Sequence, residues 1–224
     1  VASMDIAGGN FSRRIRIESN DELGLLSESL NDMAGELGQR FKIQSSVHNV
    51  LEKLVSTLDM DDLLNAGLST ICESFDFKVG AVYLCDLERK ELVQKASYCP
   101  GQQLIKRKKI INIDEGLEGL AVKDRRVRLI TNLPDDTVYT VNWSGGYIIP
   151  ECIITVPIVF GEEVLGVMTL CSLKNIDQTY ILALEDVGTL MGVAIHNALI
   201  YQKTRDMSHR LQELNENLAQ QDEE

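Results

Sequence analysis

The 224 residues carry 44% hydrophobic and 25% charged side chains, enough apolar material for one sizeable core. A formal charge of −12 argues against nucleic acid as the main partner, because phosphate backbones are held by clustered Lys and Arg. The one basic run, Lys106-Arg107-Lys108-Lys109, is short and reads as a solvated strand or loop before it reads as an anion site. No stretch reaches the ~20 apolar residues of a membrane span, and no signal peptide opens the chain.

Turn chemistry comes first. Gly8-Gly9-Asn10 reads as a turn, and Ile15 and Ile17 alternate as an extended segment would. Ser19 or Asn20 then caps a helix, with Glu22 three residues after Ser19 as a capping box requires. Along that helix Leu23, Leu26, Leu30, Met33 and Leu37 recur at alternating steps of three and four. So narrow a seam packs on another helix. Phe41 follows Leu37 by four more, a stutter that changes the supercoil locally. The alternative is an amphipathic helix packed on its own domain.

Gly9-Asn10-Phe11-Ser12-Arg13-Arg14-Ile15, Asn20-Asp21-Glu22-Leu23-Gly24 and Leu30-Asn31-Asp32-Met33-Ala34 together resemble the connector and second helix of a HAMP domain. The resemblance covers roughly residues 4–40. It implies that the chain begins inside that domain, that a membrane span lies upstream, and that two copies pair as a parallel homodimer.

Val47, Val50, Leu51, Leu54 and Leu58 continue the helical spacing. Asp59 caps a second helix through Leu63, Leu64, Leu68, Ile71 and Cys72 to Phe75. Val79 to Cys85 is apolar on both faces and reads as a buried strand, with Glu91 to Tyr98 as its hairpin partner. Ile153 to Phe160 and Val164 to Leu173 make a second hairpin around a three-residue turn, Gly161-Glu162-Glu163. Strands mixed with helices predict an α+β, or α/β layered, fold.

Ile113-Asp114-Glu115-Gly116-Leu117-Glu118-Gly119-Leu120-Ala121, Arg128-Leu129-Ile130-Thr131-Asn132, Ile154-Thr155-Val156-Pro157-Ile158 and Val164-Leu165-Gly166-Val167-Met168, in that order, resemble a GAF domain over about residues 40–200. The resemblance implies a central antiparallel sheet with the terminal helices on one face and a small-molecule pocket on the other. It puts Tyr83, Ile153, Thr155, Thr169 and Cys171 on the pocket face. The loop from Leu133 to Pro150, with Tyr139, Trp143, Gly145, Gly146 and Tyr147, reads as a lid, and Trp143 and Tyr147 join the candidate ligand-binding set. Each of these residues also reads as ordinary core.

No cofactor is expected. The three histidines, His48, His196 and His209, fall on predicted helices, away from the pocket segments, so a haem held by His has no ligand there. The Cys-His pair of tetrapyrrole-binding GAF photoreceptors is missing, and Lys174-Asn175 reverses the order used by cyclic-nucleotide GAF domains. The five cysteines, Cys72, Cys85, Cys99, Cys152 and Cys171, form no CxxC pair. A thiol or metal redox role for Cys171 stays open as a minor alternative, since a lone buried Cys is usually a small hydrophobe. Phosphate-loop, nucleophile-elbow and paired-His signatures are missing, so the chain itself is expected to be no enzyme.

A long helix is predicted from about Gln178 to the end. Ile181, Leu184, Val187, Leu190, Met191, Ala194 and Ile195 face the sheet, and Gly188 and Gly192 permit close packing there or are simply tolerated. The stripe then narrows to Ile200, Thr204, Met207, Leu211, Leu214 and Leu218, a parallel coiled-coil seam. The expected organisation is therefore partial HAMP over 1–40, GAF sensor over 41–200 and a signalling helix over 201–224. The chain is expected to act as a dimeric cytoplasmic relay of an inner-membrane receptor, open to modulation by a small ligand in the GAF pocket; the alternatives are a ligand-free dimerisation spacer or a thiol or metal redox sensor. The output domain, beyond residue 224, would be a histidine kinase of a two-component system or a diguanylate cyclase.

Overall fold

The computed structural model describes residues 11, 14–15, 22–99, 110–135, 137, 140–143 and 146–221; the side chains of 141–147 and 214–221 lie outside that description. Two compact units divide the chain, Val1–His48 and Asn49–Glu224.

The helix α1 (Glu22–Val55) starts in the first unit and runs into the second, and within the first it carries the connector along its side. Asn31 acts as a substitute strand. Its Oδ1 accepts from the Ile15 amide at 2.7 Å, and its Nδ2 donates to the Ile15 carbonyl at 2.8 Å. Ser27 donates to the same carbonyl at 3.0 Å. Phe11 packs on Phe41 with ring centroids 6.1 Å apart, and a side chain at Gly38 would begin 2.8 Å from the Phe11 Cβ. The extended segment thus has its backbone polar groups met by a helix side chain. The expected caps Ser19 and Asn20 lie outside the described residues.

In the second unit, α2 (Met60–Phe75) starts as expected. Asp59 accepts from the amides of Asp61 and Asp62 at 3.0 and 3.1 Å. Leu63, Leu64, Leu68 and Ile71 are fully buried, each burial stabilising by roughly 1.5–3 kcal/mol. The helix ends at Asp76, in the left-handed region at φ 62°.

The strands are β1 (Val79–Asp86), β2 (Glu91–Tyr98), β3 (Ile110–Asn112), β4 (Arg128–Thr131), β5 (Val141–Trp143), β6 (Gly146–Ile148), β7 (Cys152–Phe160) and β8 (Glu163–Ser172). Six form an antiparallel sheet in the order β3-β2-β1-β8-β7-β4, and β5 pairs with β6 separately. The β7–β8 turn is tighter than expected. Val159 pairs with Val164 and Phe160 with Glu163, so only Gly161 and Glu162 make the turn. Gly161 supplies the positive φ of 59° at its first position.

The last helix, α4 (Gln178–Gln221), packs its first half on β7. Here the two glycines are required. A Cβ on Gly192 would lie 2.5 Å from the Val159 carbonyl carbon and closer still to its oxygen. One on Gly188 would lie 2.9 Å from Val156 Cγ1 and closer to the Pro157 oxygen. His196, on the same helix, stacks on Phe160 with centroids 3.7 Å apart.

Besides these, α3 (Gly116–Asp124) packs on β7 and β8. It covers the face opposite α2 and α4: Thr169 faces α3, whereas its neighbour Leu170 lies with Cys72 and Leu68 of α2 around Gly80.

Candidate functional site

Register decides which side chains meet on the α3 face. Ala81 pairs with Thr169, and Thr169 with Thr155, so these three stand in one row across β1, β8 and β7. Tyr83 lies two residues along β1, and Ile153 pairs with Cys171 two residues along β7 and β8. The structure therefore brings Tyr83, Ile153, Thr155, Thr169 and Cys171 to one face, all of them buried. Trp143 and Tyr147 fall on the β5–β6 hairpin, where Trp143 pairs with Gly146 and Asn142 with Tyr147; their side chains lie outside the described residues, as do Tyr139 and Gly145.

Apolar packing flanks the row at both ends. Ala81, Tyr83, Leu92, Ala121 and Val167 form one cluster; Val79, Ile153 and Cys171 form another, joined by Leu117. Between them is a residue that the sequence reading did not select. Glu118 of α3 is 3% exposed, and its Oε1 accepts the Thr169 hydroxyl at 3.0 Å. The buried Thr155 Oγ1 has no hydrogen-bond partner among the described residues. The available signal was a carboxylate inside the run Leu117-Glu118-Gly119-Leu120-Ala121-Val122, where a helix turn aims it with Ala121 at the sheet.

The glycines beside Glu118 shape its position. Gly116 takes φ +73°, and a Cβ there would stand 3.2 Å from Glu118 Oε2. A Cβ on Gly119 would lie 3.1 Å from the Ile113 carbonyl carbon and closer to its oxygen. A larger residue at Gly119 would have to lift α3 from the Ile113 backbone, whereas at Gly116 the obstacle is the left-handed backbone itself.

Cys72, Cys152 and Cys85 offer little reactivity. Burial pushes Cys72 far up, with the nearby Cys171 and Glu73 adding to it, and raises Cys152 and Cys85 to about 11. A thiol held protonated is a poor nucleophile. Among the described residues no group of three His, Cys, Asp or Glu side chains is placed to hold a metal. An open groove of about 750 Å³, lined by Cys85, Leu87, Ile113, Val122 and Phe160 among others, includes none of the seven candidate residues.

Among solved structures, the chain is similar to the free methionine-R-sulfoxide reductase from Neisseria meningitidis in complex with its substrate. That match has 16% identity and a TM-score of 0.59, covering 71% of this chain and 91% of that one. It is similar also to the GAF domain from Acinetobacter phosphoenolpyruvate-protein phosphotransferase, at 15% identity and a TM-score of 0.56, covering 70% and 94%. A third likeness is to residues 122 to 287 of a methyl-accepting chemotaxis protein, at 16% identity and a TM-score of 0.53, covering 68% and 98%. At such identities the likeness shows the fold. No curated protein matches the chain. The model of the GAF domain family matches residues 57–196, and that of the HAMP domain family matches residues 1–39. The chain is thus a signalling sensor module, a member of the GAF domain family with a HAMP domain segment ahead of it.

Proposed function

We propose that this chain is a non-catalytic relay of a bacterial membrane receptor, a parallel dimer that passes helix motion from HAMP through GAF to an output kinase or cyclase. One observation carries the reading: α4 is a single helix whose first half is locked on β7 and whose second half leaves apolar side chains unpacked. At the locked end, backbone meets backbone at Gly188 and Gly192, so a shift of β7 reaches the helix with no side chain to absorb it. At the other end Ile200, Met207 and Leu211 are 51, 65 and 56% exposed, at the heptad spacing of a coiled-coil seam. The side chains of Leu214 and Leu218 lie outside the described residues.

The entering helix has the same character. Leu23, Leu26, Met33, Leu37 and Phe41 of α1 are all exposed, although they are large and apolar. A second copy of the chain is the partner that parallel seams fit. This reading puts a membrane span upstream of the HAMP segment, as the HAMP resemblance implies; no described helix is itself long and apolar enough to cross a membrane. A ligand on the α3 face biases the relay to the extent that it prefers one helix packing over another.

Sedimentation of the wild type and of Leu211→Asp tests the dimer. The substitution places a charge in the seam, and the dimer dissociation constant should rise at least tenfold. A wild type that stays monomeric at high concentration, or a variant that dimerises as well as the wild type, refutes the reading. The tight burial of Tyr83, Ile153, Thr155, Thr169 and Cys171 favours a second reading, in which the GAF domain binds nothing and serves as a dimerising spacer.

A further inference from the structure

A second groove, of about 750 Å³, marks the point where α4 leaves the domain. One wall is the start of α2 with the residues just before it, from Leu58 to Asp61, the other is α4 between Ala198 and His209, and Lys95 of β2 joins them. Ala198 is 1% exposed and Tyr201 49%, so the groove straddles the place where the packing of α4 ends. Lys95 is the extra residue of a bulge: Ala96 pairs with Val82 and Gln94 with Tyr83, leaving Lys95 between them without a partner on β1. A bulge re-aims the side chain it carries. On α4, Tyr201, Arg205 and His209 recur every fourth residue and share one side of the helix. That side lies roughly opposite Ile200, Met207 and Leu211, so the groove does not compete with the seam.

Charge decides what fits there. Two carboxylates, Asp61 and Asp206, and two cations, Lys95 and Arg205, line the groove, and none of the four is in an ion pair among the described residues. Asp59 is turned to the amides of Asp61 and Asp62. The remaining charges balance, so a ligand of one sign meets as much repulsion as attraction, whereas a ligand carrying both signs finds a partner for each. We propose that this groove binds a zwitterion with a primary ammonium and a carboxylate, a free α-amino acid or short peptide, and that the ligand ties the exit of α4 to the start of α2. The paired N–H donors of Arg205 suit the carboxylate, with Lys95 as a second cation. The three donors of the ammonium suit Asp61 and Asp206. The groove's volume falls within the ~300–1,000 Å³ of small-ligand sites. The effect on output rests on the relay reading; the binding does not.

Calorimetric titration of the whole chain with every common L-amino acid and with triglycine tests this, and separates a free amino acid from a peptide. The best binder is then compared with its N-acetyl form, which lacks the cation, and its C-terminal amide, which lacks the anion. The expected result is binding by at least one zwitterion and a loss of tenfold or more on either blocking. Arg205→Gln and Asp61→Asn should each weaken it tenfold or more; both side chains are exposed, and urea midpoints check that the variants fold. Silence from every zwitterion, or blocked forms that bind as well as the parent, overturns the proposal. Affinity that survives both variants and falls in Thr155→Val moves the ligand to the α3 face and overturns it too. Sedimentation reports separately on the relay: a monomeric chain that binds the zwitterion refutes the relay and leaves this site standing.

Discussion

Replacing Gly192 by Ala asks whether the exit helix is truly set against the sheet backbone. In a helix interior, Ala is favoured over Gly by about 0.8–1.0 kcal/mol, so propensity alone predicts stabilisation. The structure predicts the reverse. The new methyl would begin 2.5 Å from the Val159 carbonyl carbon and nearer its oxygen, in a strand buried between helix layers. A strand carbonyl cannot rotate aside as a side chain can, so α4 must lift from β7 and open a gap along their contact. Overpacking of this kind costs about 1–3 kcal/mol, and the rigid obstacle places it at the upper end. Set against the propensity gain, the net loss is about 1–2 kcal/mol. Gly67→Ala in α2 is the control: its Cβ would meet the Leu54 Cδ2 at 2.8 Å and the Met191 Sδ at 3.3 Å, both ends of flexible side chains. It should stay within about 1 kcal/mol of the wild type, because adjustable neighbours leave room for the propensity gain. Trp143 is the sole tryptophan and belongs to the second unit, so its fluorescence in urea follows that unit's unfolding. With a slope of about 2 kcal/mol per molar, Gly192→Ala should lower the midpoint by roughly 0.5–1 M. A Gly192→Ala chain as stable as Gly67→Ala would mean that the glycine contact is not a rigid constraint, and the relay argument would lose its mechanical link.

Two further predictions concern polar clasps. Asp76 accepts hydrogen bonds from Lys174 and Lys78, which hold its carboxyl at about 2 against a usual 3.8. Because the folded value is depressed, the stabilisation is complete above the usual value and lost as pH falls through about 2. The stability gap between wild type and Asp76→Asn should therefore be present at neutral pH and close on acidification. With these side chains more than a third exposed, screening keeps it below about 1 kcal/mol. A gap that widens toward low pH would contradict the assignment. In the first unit, Asn31→Ala removes both hydrogen bonds to Ile15, and the Ile15 amide should exchange with solvent about 10–100-fold faster, as read by NMR. Unchanged protection would show that another group holds the connector.

What could be read in the sequence followed from periodicity. Leu63, Leu64, Leu68 and Ile71 mark the buried side of α2 because a 3.6-residue repeat leaves few other folds for them, and Asp59 before them is a local cap. Strand alternation put Ile153 with Thr155 and Thr169 with Cys171, the GAF resemblance put the two pairs on one face, and Gly188 and Gly192 already hinted at close contact. The α3 helix was less legible. Gly116-Leu117-Glu118-Gly119 is poor helix-forming sequence, Glu115 gives no side-chain cap, and only the sheet beneath supplies the reason to coil. Glu118 was overlooked because a lone Glu, even in an apolar run, reads as surface until tertiary packing closes over it.

That failure has a physical cause of some generality. Patterns disclose the apolar residues that build the fold, whereas Glu118 is a polar residue that burial reaches only through tertiary contacts: it accepts from Thr169 while Ala121 and Leu117 of the same helix join the apolar clusters. β7 ties that face to the exit helix. Its Thr155 stands beside Thr169 on one face, while its Val156 side chain and the carbonyls of Pro157 and Val159 bear on Gly188 and Gly192. A shift of α3 on this face therefore acts on the one strand whose backbone α4 cannot yield to, and the helix that leaves the domain is the part with freedom to respond.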